Sequence, residues 1–211
     1  MINKIIEMVK SLALTRGEKR TDPSVFNDLL AQKTDWTPLK RGGCNFRTHR
    51  LMRINPNRVE FRPTVFAMVF YGIFLFIGLA LLVGFSTLLS VKGAHSFNGP
   101  VWVPYIIGTV FSFVGGLLFY YGTKPIVFDQ ESMMYWKGRM NLYELSRTQS
   151  FKDHCELKQI HAIQLISEYC RGDKSSYYSF ELNLVLHDGT RLQVVDHGSS
   201  EKLIEDANTL A

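Results

Sequence analysis

Residues 65–90 read VFAMVFYGIFLFIGLALLVGFSTLLS, and the reading of this stretch decides the fold. No residue in it carries a formal charge, and the uncharged run extends from Thr64 to Val91. A helix needs about 20 apolar residues to cross a hydrocarbon core roughly 30 Å thick. The core helix of a soluble protein normally keeps one polar face, whereas this one is apolar all round. The stretch predicts a transmembrane helix. A second candidate, VWVPYIIGTVFSFVGGLLFYYG at 101–122, lies in another uncharged run, Gly93–Thr123, in which only His95 titrates. The two spans, 65–90 and 101–122, make a helical hairpin over 64–122 with SFNGP (96–100) at its tip.

Charge placement orients the hairpin. The chain of 211 residues carries 24 Lys and Arg against 19 Asp and Glu, a net charge of +5. Lys40, Arg41, Arg47, Arg50, Arg53, Arg58 and Arg62 precede the first span, and only Glu60 opposes them there. The loop between the spans has Lys92 alone, and Lys124, Lys137 and Arg139 follow the second span. Basic residues beside a span stay on the cytoplasmic side. Both termini are therefore expected in the cytoplasm, with SFNGP outside, in a multi-pass membrane protein. Trp102 and Tyr105 suit the outer interface, and Tyr120 and Tyr121 the inner one. Cys44, Cys155 and Cys170 all fall on the predicted cytoplasmic side. An odd number of thiols in a reducing compartment argues against a disulfide framework. The N-terminal run MINKIIEMVK is interrupted by charge and lacks the long apolar core of a cleavable signal.

Outward from the hairpin the pattern changes. Residues 1–34 form an N-terminal segment with an amphipathic helix over 2–14, then a helix over Pro23–Gln32 capped by Asp22. NFRTHRLMRI alternates, with Phe46 and Met52 on one face and Arg47, His49 and Arg53 on the other. With the Asn55-Pro56-Asn57 turn and RVEFR it predicts a β-hairpin over 36–62 that runs into the first span. Strands resume after the second span in PIVFD, SMMYWKG, QIHAIQLISEYC, YYSFELNLVLH and TRLQVVD, with a tight turn at Asp188-Gly189. A final helix starts at Ser199 or Ser200 and places Leu203, Ile204, Ala207 and Leu210 on one face. Seven strands and a C-terminal helix are the inventory of a pleckstrin-homology-like barrel or sheet, split by the membrane hairpin. The segment 124–211 can alternatively form an α+β domain of its own.

The candidate sites are few. Gly108, Ser112 and Gly116 on the second span, and Ala80 and Gly84 on the first, are spaced by four. Small residues at that spacing allow close helix approach within one chain or between copies, so a homo-oligomer is open. Arg47, His49 and Arg53 are candidate contacts for anionic lipid headgroups, each worth about 1 kcal/mol near an acidic leaflet. Asp196, His197, Ser199 and Ser200 supply the residue types of a hydrolytic triad, without a nucleophile elbow. His154, Cys155, His161, Cys170 and Cys44 lack metal-ligand spacing. Neither a catalytic residue nor a cofactor or metal is expected, and a nucleic-acid role is not.

The stretches TDWTPLKRGGCNFRTHRL, GTKPIVFD, IHAIQLISEYCRG and YYSFELNLVLHDGTRLQVVDHG resemble a family of small two-span bacterial inner-membrane proteins, and the resemblance implies no particular activity. The layout is also similar, more loosely, to a photosystem assembly factor that joins a membrane hairpin to a pleckstrin-homology-like domain. Fold likeness does not carry function. The reading is a non-enzymatic scaffold, assembly or regulatory subunit that presents a cytoplasmic β-domain to a protein partner at the bilayer. An immunity-type protein against a membrane-acting toxin and an anionic-lipid sensor are the alternatives.

Overall fold

The structure, a computed structural model, describes residues 22–93, 99–139, 154–172 and 175–211. The expected helix over 2–14 and most of the SFNGP tip lie outside the described residues. The chain divides into two compact units, one of residues 63–124 and one that joins the preceding residues to Pro125–Ala211.

The first unit is a pair of long helices. They are α2 (Val65–Lys92) and α3 (Trp102–Gly122), and both are long and apolar enough to cross a membrane. Thr64 caps α2 by accepting the Ala67 N–H at 3.2 Å. Gly93 ends it with φ +76, a left-handed conformation that glycine adopts without a Cβ clash.

The second unit is built from antiparallel strands. They are β1 (His49–Asn55), β2 (Arg58–Pro63), β3 (Ile126–Asp129), β4 (Met134–Lys137), β5 (His154–Glu156), β6 (Ile160–Arg171), β7 (Ser176–Leu186) and β8 (Arg191–His197). They form a five-stranded sheet in the order β1-β2-β3-β4-β5 and a three-stranded sheet in the order β6-β7-β8. β2 and β3, which lie on either side of the helical hairpin in sequence, are direct partners: Phe61 faces Ile126 and Arg58 faces Asp129. The C-terminal helix α4 (Ser200–Leu210) closes the chain.

Three expectations need correction. The seven-stranded barrel is not formed: the strands fall into two sheets, the described residues contain eight of them, and no barrel closes. Among the described residues one isolated β-bridge, Arg47 to His197, joins the β1 side to β8. The additional strand, β5, spans three residues, too short for any alternation to register in the sequence. The expected helix over Pro23–Gln32 is broken. A 3₁₀ turn at Pro23–Phe26 ends at Asn27 with φ +50. Asp28 then caps α1 (Leu29–Lys33) through the Leu30 N–H at 2.9 Å. Two Asx caps six residues apart start two short elements where periodicity suggested one.

The core draws on both sheets and on α4. Phe61, Ile126, Tyr135, Leu182, Leu184 and Leu203 are nearly inaccessible. Each such side chain contributes about 1.5–3 kcal/mol by leaving water. On α4 the spacing of Leu203, Ala207 and Leu210 puts all three against this core.

Candidate functional site

The outer face of the β6-β7-β8 sheet is polar, yet it is buried. Ser179, Glu181 and Asn183 alternate along β7 with Phe180, Leu182 and Leu184, so the polar set shares one face. That face normally meets solvent in an antiparallel sheet. Here Ser179, Glu181 and Asn183 are at most 3% exposed, as is Gln164 on β6.

The polar groups grip residues 35–44, a strap that runs into β1. Gln164 Nε2 donates to the Asp35 carbonyl at 3.0 Å, and Arg191 Nη1 donates to the Thr37 carbonyl at 2.7 Å. The Glu181 carboxylate accepts the N–H groups of Leu39 at 2.9 Å and Lys40 at 3.0 Å. Glu168 accepts the Gly42 N–H with both oxygens, at 3.2 and 3.1 Å. The Tyr177 hydroxyl donates to the Gly43 carbonyl at 2.8 Å. These bonds are made to main-chain atoms of the strap, and Arg191 Nη2 adds one to a side chain, the Asp35 carboxylate, at 3.4 Å. A Cβ at Gly43 would overlap Ser179 Oγ and the Asp196 carboxylate, so the backbone approaches there only because the residue is glycine.

The electrostatics are lopsided. Glu181 also accepts from Asn183 Nδ2 at 2.6 Å and from Gln193 Nε2 at 3.3 Å. Asp196 accepts from Ser179 Oγ. Burial lifts the Asp196 carboxyl above the ordinary carboxylate range; the Ser179 hydrogen bond opposes the rise and the nearby Glu181 charge adds to it. The Cys44 and Cys170 thiols are also pushed up, chiefly by burial. The face thus holds three carboxyls, Glu168, Glu181 and Asp196, against the Arg191 cation, and the strap above it carries Lys40 and Arg41.

Asp196 and His197 do not act together. Asp196 stands opposite Glu181 in the ladder and His197 opposite Phe180, so they project to opposite faces. His197 is fully buried, and neither ring nitrogen has a hydrogen-bond partner among the described residues. Burial, aided by the Arg47 and His49 charges, pushes it down to about 3.

The headgroup candidates are dispersed. Arg47 lies before β1 and is not a solvated strand residue: its Nη2 donates to both Asp206 oxygens, at 3.0 and 2.8 Å. Its Nε donates to the His49 carbonyl at 3.0 Å. His49 is half-buried, with Nδ1 3.1 Å from Thr48 Oγ1. Arg53 alone of the three is exposed. Leu51, two residues from both His49 and Arg53, packs against the core; Met52 does not. The expected division of β1 into an apolar even face and a solvated odd face is therefore not the one that forms.

The helix-packing candidates divide as well. Gly108 and Ser112 lie at the α2–α3 contact: a Cβ at Gly78 would overlap Ser112, and one at Gly108 would meet Leu82 at 2.9 Å. Ala80 and Gly84 are exposed, and a Cβ at Gly84 or Gly116 would meet nothing within 4 Å. The neighbour of Ser112 on the seam is Gly115, where a Cβ would overlap the Leu75 backbone. The reason is angular. Steps of four residues drift around a helix, whereas steps of three and four in alternation hold one seam. Tyr71, Leu75, Gly78, Leu82 and Phe85 follow that alternation, as do Tyr105, Gly108, Ser112 and Gly115. Phe85 packs edge-on against Tyr105, 5.4 Å between centroids, and Ser86 Oγ lies 3.1 Å from the Tyr105 hydroxyl.

Among the described residues no group of three His, Cys, Asp or Glu side chains is arranged to hold a metal ion. Comparison with protein-family models, curated proteins and solved structures finds no match to this chain. The strapped face was not singled out from the sequence. Its signal was present in the alternation S-E-N along β7 and in the paired glycines of LKRGGC, but alternation alone assigns a polar face to water.

Proposed function

We propose that the chain is a non-enzymatic adaptor of the bacterial inner membrane, with both termini cytoplasmic and the β unit presented to a protein partner. The observation that carries the reading is the pairing of β2 with β3. The apolar helices are inserted, in sequence, between two strands that pair with each other, a connectivity suited to a protein surface held at a bilayer. The two sheets and α4 are read as an opened relative of a pleckstrin-homology-like barrel, with Arg47 and His197 bridging one corner. The lipid-sensing alternative is weakened because Arg47 is committed to Asp206.

Two measurements test this reading. A reporter active only in the periplasm should work when fused at Asn98 and stay silent at Ala211; an active fusion at Ala211 overturns the topology. Affinity purification from membranes in mild detergent should yield a stoichiometric protein partner. A chain that purifies alone and hydrolyses a substrate overturns the adaptor reading.

A further inference from the structure

The contacts beneath residues 35–44 have the character of a peptide site. A segment that belongs to a core is normally held by its side chains, and this one is held mostly by its main chain, with the Asp35–Arg191 pair as a side-chain contact. Carbonyls at 35, 37 and 43 and N–H groups at 39, 40 and 42 each meet a side chain of the sheet. Leu39 is 41% exposed, and Lys40 and Arg41 are exposed. A site that reads the main chain tolerates many sequences. It still imposes two selections. One is steric: only glycine fits at position 43, against Ser179 and Asp196. The other is electrostatic: Arg191 meets Asp35 at the start of the strap, and the three carboxyls Glu168, Glu181 and Asp196 beyond it favour basic residues there, as the KR pair supplies.

We propose that the outer face of the β6-β7-β8 sheet is a docking groove for an extended, basic, glycine-containing segment of the partner protein, and that residues 35–44 occupy it in cis as a competing pseudo-ligand. This rests on the adaptor reading and names the face and the partner chemistry that reading requires. The chain's own segment sits at high effective concentration, so a partner binds weakly until the strap is loosened. The partner's segment must place a glycine over Ser179 and basic residues just before it.

The test uses the full chain in detergent and a fluorescein-labelled peptide, DWTPLKRGGSN, which reproduces residues 35–45 with serine for Cys44. Fluorescence anisotropy should show weak binding to the unaltered chain. Gly43→Ala should expel the strap by its clash, and Leu39→Pro should remove one N–H from Glu181. Either variant should bind the peptide at least tenfold more tightly, and a peptide with alanine in place of that glycine should lose at least tenfold on both. Adding Glu181→Gln to the Leu39→Pro chain should weaken binding again. Hydrogen exchange on the unaltered chain supplies a second reading: saturating unlabelled peptide should strip protection from the amides of Leu39, Lys40 and Gly42. Unchanged affinity in folded variants, equal binding of the alanine peptide, or unchanged strap protection overturns the proposal. The peptide assay reads the groove alone and co-purification reads the adaptor role, so one can fail while the other stands.

Discussion

In the helical hairpin the closest contacts form where side chains are missing: Gly78, Gly108 and Gly115 let one backbone approach the other. In the β unit they form where side chains are large, with Phe61, Tyr135, Leu182 and Leu203 filling the space between two sheets and a helix. The two helices are long and apolar enough to cross a membrane, and packing there follows other rules than in water. In water, burying apolar side chains drives association. Between apolar helices in lipid that drive is absent, and close packing takes its place. The two units should therefore respond oppositely to reciprocal substitutions: truncation should harm the β unit and enlargement the hairpin.

The largest expected effect is on the β side. Leu182→Ala should cost about 2–5 kcal/mol, because Leu182 has no exposed surface and its site is walled by both sheets. Chemical denaturation that follows the tryptophan signal measures it, and a loss below about 1 kcal/mol would break the comparison. On the hairpin side, Gly115→Leu should cost about 1–3 kcal/mol, because its side chain meets the Leu75 backbone. Gly116→Leu should stay within about 0.5 kcal/mol, since Gly116 faces open space. Thermal shifts in detergent compare these two, and equal shifts would remove the seam assigned to Gly78, Gly108, Ser112 and Gly115.

A pH measurement sharpens the β side further. His197 is neutral when folded, pushed down to about 3, and takes a proton near 6.5 when unfolded. Below pH 6.5 the unfolded state binds more protons, so stability falls as pH drops from 6.5 toward 3. At pH 5 the loss is about 2 kcal/mol. The buried carboxyls of Asp196 and Asp206 are both raised, so protonating them on acidification contributes with the opposite sign. Comparison with His197→Asn isolates the histidine, because both carboxyls are common to the two proteins. Parallel acid limbs would refute the assignment.

The smallest expected effects separate the basic residues. Arg47→Gln leaves the buried Asp206 carboxylate without its guanidinium and should cost about 1–2 kcal/mol, less than a fully buried pair because the Arg47 side chain is 28% exposed. Arg53→Gln should leave stability within about 0.5 kcal/mol. In a lipid-sensing protein, both changes should instead weaken binding of the intact chain to acidic vesicles without altering stability.

The parts legible in the sequence were those governed by composition or by long periodic runs. The two apolar helices stand out by length alone, and QIHAIQLISEYC and YYSFELNLVLH yielded β6 and β7 almost to the residue. Elements governed by a few atoms were less legible. Asn27 and Asp28 split one expected helix into two. Three residues of β5 left no pattern. Residue size alone does not mark the seam of the hairpin: a four-residue step drifts around the helix, which leaves Ala80, Gly84 and Gly116 off it. The polar face of β7 was visible as a face. Its burial depended on a strap more than 130 residues away in sequence, as the Leu39–Glu181 bond shows, and no local pattern encodes that.

The β2–β3 ladder also bears on the order in which the protein is made. Phe61 emerges from the ribosome long before Ile126, and the whole helical hairpin is synthesised between them. Until that segment has left the exit tunnel, β2 has one sheet neighbour only, β1, and a two-stranded ribbon is marginal in water. Closing a loop of this length with flexible chain would cost roughly 2–3 kcal/mol more than closing a tight turn. A finished hairpin removes much of that cost, because the end of α3 at Gly122 already lies beside Tyr71 near the start of α2. Completion of the five-stranded sheet is thereby made conditional on the apolar helices having found each other. A chain whose helices fail to pair would display an unfinished sheet edge, a feature by which proteases and chaperones can recognise it before it accumulates.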